Sequence, residues 1–152
     1  MHRSLFFLIP IVFITFTLIG CTLTTIDTYK PKTPDEAEII QVIKIFRNTA
    51  QNMDKSGHLA VIHDNASIQV SSEAGHTSML SKSEYAKRLP GLVKWGRDTD
   101  VTSIKEIIVS GNTATINGTH ITNSRWRAPL ILIMVKENDT WSLMKLTYGS
   151  YR

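Results

Sequence analysis

One cysteine in 152 residues rules out an intramolecular disulfide, so whatever domain this chain forms must be stable through its apolar core alone. Charge of one sign is never concentrated: 17 Lys+Arg face 13 Asp+Glu without a block of either. A phosphate track for nucleic acid therefore has no footing, and Lys82, Lys87, Arg88, Lys94 and Arg97 read as a solvated face. Soft attraction to anionic lipid head groups is all that such a mildly basic chain supports. No P-loop, HExxH, GxSxG or Cys-x-x-Cys pattern occurs, and there is no internal repeat or low-complexity segment. No metal or cofactor is expected.

Long apolar runs are also scarce: there is one, Leu5 to Ile19, behind the positive start Met1-His2-Arg3 and ahead of Gly20-Cys21. Charged, apolar and small-residue regions in that order form a secretory signal, excluded from fold reasoning. A membrane-spanning helix is the competing reading. Fifteen residues at 1.5 Å each reach only about 22 Å, short of a bilayer core of about 30 Å. Pro10 inside the run weakens a long helix further.

The closing tetrapeptide Leu18-Ile19-Gly20-Cys21 resembles the lipobox of bacterial lipoproteins. That resemblance implies cleavage between Gly20 and Cys21, a thioether-linked diacylglycerol on the Cys21 sulfur, and a palmitate-type acyl chain on the new amino terminus. Several buried chains are needed because each methylene contributes about 0.8 kcal/mol and a single chain holds weakly. Thr22 stands where Asp would resemble an inner-membrane retention signal, so the outer membrane is the expected location.

Removing residues 1–20 from 152 leaves 132, and losing Arg3 leaves 16 Lys+Arg against 13 Asp+Glu, a formal charge of +3. That is one domain with a respectable core. Residues 21–34 carry no apolar periodicity and read as a lipidated tether, able to extend to about 45 Å. Thr33-Pro34-Asp35-Glu36 then opens a helix as a capping box with Pro at N1. Ile39, Ile43, Phe46, Ala50 and Met53 follow as its apolar stripe, widened by Ile40 and Val42.

Asp54 is expected to cap a second, shorter helix carrying Leu59, Val61 and Ile62, with Gly57 weakening its first turn. A strand pair follows at 66–72 and 76–80, turned by Glu73-Ala74-Gly75. Ser81-Lys82-Ser83-Glu84 is a second capping box, whose helix carries Tyr85, Leu89, Leu92 and Val93 and is broken by Pro90-Gly91. The last third predicts four strands, 101–109, 113–122, 130–136 and 141–148, joined at Ser110-Gly111-Asn112 and Asn138-Asp139 by hairpin turns. Helices first and a meander after give an α+β class, with the helices packed on a curved antiparallel sheet.

This order of elements resembles the nuclear transport factor 2-like superfamily, a cystatin-like roll shared with ketosteroid isomerase, scytalone dehydratase and polyketide cyclase-like proteins. The resemblance covers about residues 35–150, within one expected domain of residues 35–152. Its markers are Asp54 through Asn65-Ala66, Gly75 ahead of Ser81-Lys82-Ser83-Glu84, and Trp141-Ser142-Leu143. In the isomerase branch it implies a carboxylate base on the first long strand and phenol and acid oxyanion donors. Ala66-Ser67-Ile68-Gln69-Val70-Ser71 offers no acid, and Phe46 stands where a phenol is implied.

The dehydratase branch requires convergent His, Asp and Tyr, for which His58, His63, Asp64, Tyr85 and His120 are available. His63-Asp64 reads as a helix end. His58 reads as exposed, and its five-residue spacing from His63 puts the two on different helix faces, against a shared metal site. His120 alternates in phase with Ala114, Ile116 and Gly118 and should face inward, as a hydrogen-bonded core histidine or as a general base. Phe46, Tyr85, Trp95 and His120 are the candidate pocket lining. Arg125-Trp126-Arg127 reads as a rim loop that packs on the roll or meets a partner.

The expected function is a membrane-anchored, non-catalytic roll that binds a small apolar ligand or an envelope protein. Sheet-face dimerisation, common in the superfamily, makes a homodimer the further expected partner. The rival is a dehydratase- or cyclase-like enzyme using His120. For the anchor, Cys21→Ser should accumulate as an unlipidated precursor; radiolabelled fatty acid appearing on that variant would remove the lipobox assignment.

Overall fold

The computed structural model describes residues 25–71, 77–91, 101–121 and 127–149. Cys21, Gly20, Trp95, Arg125 and Trp126 lie outside the described residues, as do Gly75, Leu92 and Val93.

Helix α1 spans Pro34–Gln51 and is capped by Thr33, whose side chain accepts from the Glu36 amide at 3.1 Å. The reciprocal half of the expected capping box differs. The Glu36 carboxylate reaches past Thr33 to accept from the Lys32 amide at 2.7 Å and from the Tyr29 hydroxyl at 3.2 Å. Buried Ile39, Ile40, Ile43, Phe46 and Ala50 form the stripe that meets the sheet. Met53 does not extend it: the helix has ended, Met53 turns the chain at φ 56°, and its side chain is exposed.

Helix α2 covers only Lys55–Ala60, so Val61 is its cap and Ile62 already belongs to a strand. Gly57 leaves room for the Asp54 carboxylate that caps the helix by accepting from the Gly57 amide; a Cβ there would push that side chain aside. Strand β1 is Ile62–Ser71, longer than expected, and pairs with β2, Thr77–Ser81. Helix α3, Lys82–Arg88, starts with the full capping box: Ser81 Oγ accepts from the Glu84 amide, and the Glu84 carboxylate accepts from the Ser81 amide. Leu89–Gly91 tightens into a 3-10 turn at the proline, as its lost N–H requires.

Strands β3 (Val101–Ser110), β4 (Thr113–Ile121), β5 (Arg127–Glu137) and β6 (Thr140–Tyr148) form the meander. Gly111 turns β3 into β4 at φ 55°, while Asn138 and Asp139, both at positive φ, make the type I′ turn that suits a twisted hairpin. The sheet order is β2-β1-β6-β5-β4-β3. The sheet is therefore mixed rather than wholly antiparallel, since the returning meander lays β6 parallel to β1. Register shifts in β1/β6, β3/β4 and β5/β6 bend it. At one of them Gly118 lets the Ser103 carbonyl approach where a Cβ would stand.

The core lies between the helices and the concave face, with Ile68, Ile116, Leu130, Leu132, Met134, Trp141 and Leu143 meeting Ile39, Ile43 and Phe46. Asp35 ties the two layers together, accepting from the Trp141 indole at 3.1 Å and from Lys136 Nζ at 2.8 Å. Those two donors hold its carboxyl below the usual carboxylate range.

Part of the stretch expected to be a tether belongs to the fold. Ile26 is a core residue at 1% exposure, Tyr29 packs beside the core, and the Asp27 carboxylate accepts from the two terminal nitrogens of the Arg47 guanidinium at 2.8 and 2.9 Å. A lone isoleucine without periodic neighbours gives no pattern to detect, yet it fills one gap. Ile26→Ala should cost about 2 kcal/mol in urea unfolding, the lower end for removing a buried isoleucine side chain. A loss under about 0.5 kcal/mol, the range of surface substitutions, would mean the segment is not docked.

Candidate functional site

The helical layer meets at His58. Its side chain is fully buried although the sequence reads it as exposed, and its ring centroid stands 4.2 Å from that of Phe46 and 5.8 Å from that of Tyr85. Nδ1 lies 2.9 Å from the Phe46 carbonyl oxygen, and Nε2 lies 3.0 Å from the Tyr85 hydroxyl. A carbonyl only accepts, so Nδ1 carries the proton and Nε2 accepts from Tyr85. Thr49 Oγ1, 3.2 Å from Nδ1, donates to the Ile45 carbonyl at 2.6 Å and turns a lone pair toward the ring.

Burial disfavours both charged forms. His58 is lowered from 6.5 to about 4, chiefly by desolvation, and the Tyr85 phenol is raised beyond its normal range for the same reason. At neutral pH this is an uncharged pair holding α1, α2 and α3 together. Two of the four expected lining residues, Phe46 and Tyr85, are thus joined by a histidine that the sequence reading assigned to the surface. The available signal was the poverty of α2. Lys55-Ser56-Gly57-His58-Leu59-Ala60 has one large apolar residue, so His58 must help to fill its contact.

His120 points inward as expected, 1% exposed on β4, with its ring 5.1 Å from that of Tyr148 on β6. His63 and Asp64 are strand residues rather than a helix end. His63 Nδ1 accepts from the Asn65 amide at 3.1 Å, and Nε2 is 3.1 Å from Glu137; Asp64 pairs with Lys82 at 2.8 Å. Arg127 likewise begins β5 instead of lying in a rim loop.

Glu36 is the one buried carboxylate among the described residues, and it is occupied by Tyr29 and the Lys32 amide at the start of α1. Among the described residues no group of three potential metal ligands converges, and no helix is long and apolar enough to cross a membrane.

Solved structures share this arrangement. A protein of unknown function from Silicibacter pomeroyi superposes with a TM-score of 0.61 at 13% identity, over 81% of this chain and 100% of that one. The fold is nuclear transport factor 2-like. A cystatin-like protein of unknown function from Nostoc punctiforme matches at 0.56 and 16% identity, over 82% of this chain and 96% of that one. A candidate ketosteroid isomerase from Shewanella frigidimarina matches at 0.53 and 19%, over 72% and 92%. No family model and no curated protein matches the sequence. At these identities the nuclear transport factor 2-like likeness establishes the architecture, and function must come from the site.

The folded-state value of His58 lies below its unfolded value, so the unfolded chain binds the extra proton between them. Stability is therefore full above pH 6.5 and is lost as pH falls toward about 4, by on the order of 3 kcal/mol from this residue. An NMR titration should give the His58 ring a midpoint near 4. A midpoint at the ordinary histidine value would show that the buried pair does not exist.

Proposed function

We propose that this chain is an exported lipoprotein, moored through acylated Cys21, whose nuclear transport factor 2-like roll works by binding rather than by moving protons. The observation that carries this reading is the uncharged His58–Tyr85 pair. The ring's proton is committed to the Phe46 carbonyl and its lone pair to a phenol, so neither nitrogen is available to a substrate. Buried His120 keeps the dehydratase- or cyclase-like alternative in view. A general base there would need a convergent acid to orient it and to complete the proton transfer.

The binding surface in this reading is the outer face of the sheet, and its occupant a second copy of the chain. Outward-facing positions of β3 to β6 run Ile108, Thr115, Ile133 and Lys145 across one register row, and Glu106, Asn117, Ile131 and Thr147 across the next. Ile108 and Ile131 are 52% and 43% exposed, apolar side chains on a face that also carries threonines and charged residues. An envelope protein or a small apolar ligand is the other partner class for an anchored roll.

Ile131→Lys should weaken self-association at least about tenfold in sedimentation equilibrium while leaving the thermal midpoint nearly unchanged. A wild-type protein that stays monomeric at high concentration would remove self-pairing and reserve the face for a different protein.

A further inference from the structure

A groove of about 530 Å³ opens between the docked amino-terminal segment and β3, lined by Thr28, Tyr29, Lys30, Lys32, Lys105 and Glu106 with Ile107. None of its three ammonium groups has an ion-pair partner among the described residues. The acids beside them are already engaged: Glu36 takes the Tyr29 hydroxyl and the Lys32 amide, and Glu106 accepts from the Asn117 amide nitrogen at 2.9 Å. Three lysines against one carboxylate in a concave, half-apolar site suit a phosphodiester with a short organic arm.

The chain that leads to this groove is short. Ile26 is buried and the Thr28 and Tyr29 amides close a turn on the Thr25 carbonyl, so only four peptide steps separate Cys21 from the docked fold. Four steps span at most about 14 Å, against the about 45 Å of a free tether. The wall of the groove is the continuation of that stalk.

We infer that the groove holds the phosphodiester head group of an anionic lipid in the bilayer that anchors the chain, fixing the face the roll turns to the membrane. This rests on the anchoring reading. Each lysine near an anionic surface adds attraction that decays over a Debye length of about 8 Å at physiological ionic strength, and a stalk of at most about 14 Å keeps the groove within about two such lengths of the bilayer.

The test is acylation footprinting of the full lipidated chain in vesicles of phosphatidylcholine alone and of phosphatidylcholine with phosphatidylglycerol. Lys30, Lys32 and Lys105 should label at least about threefold more slowly in the anionic vesicles, with high salt restoring the rate, while Lys55 and Lys145 do not change. Equal labelling in both vesicles, on protein whose Cys21 peptide carries acyl mass, overturns the groove proposal and leaves the anchor standing. A Cys21 peptide without acyl mass overturns both. Protection by inorganic phosphate in detergent, with none from anionic vesicles, assigns the groove to a soluble anion and overturns the lipid assignment.

Discussion

A neutral imidazole buried under three helices is the constraint on which the helical half of this roll depends. α1, α2 and α3 contribute unequal amounts of apolar surface, and six-residue α2 is too short to be held by its own. His58 compensates by using both ring nitrogens, one on the Phe46 carbonyl and one on the Tyr85 hydroxyl. An unmet buried donor or acceptor costs about 1–3 kcal/mol, so the pair is far stronger as a specification of geometry than as a net source of stability. The same commitments that brace the helices leave the ring without a free nitrogen. Structural use and chemical silence here have one cause.

The sheet is organised by the opposite means, with few specific polar contacts and many apolar ones. Its concave face is aliphatic, and its bend comes from register shifts and from the close approach permitted at Gly118. Asp35 is the exception, drawing the indole of Trp141 and the ammonium of Lys136 onto the start of α1. Its location at a helix amino terminus suits a carboxylate on electrostatic grounds as well.

Two surfaces of the roll are chemically distinct. The outer sheet face presents isoleucines among threonines, the composition of a contact surface, whereas the groove under the amino-terminal segment presents lysines to solvent. A domain moored through Cys21, as proposed, meets both a bilayer and its neighbours. On that proposal the short stalk turns the groove toward lipid and leaves the outer sheet face to protein.

Local patterns were sufficient for much of this architecture. Thr33 and Ser81 with their glutamates marked two helix starts, Asn138-Asp139 marked a hairpin, and alternation placed His120 inside, because caps, turns and pleats depend on neighbours in sequence. Sequence alone did not determine that β6 would lie parallel to β1, that Ile26 would leave the tether for the core, or that His58 would be buried. Each of these is settled by a partner far along the chain: Leu146 beside Ile68, Arg47 on Asp27, Tyr85 on His58. A lone isoleucine or histidine has no period to betray it, and only the free energy of closing a gap between packed elements decides where it goes.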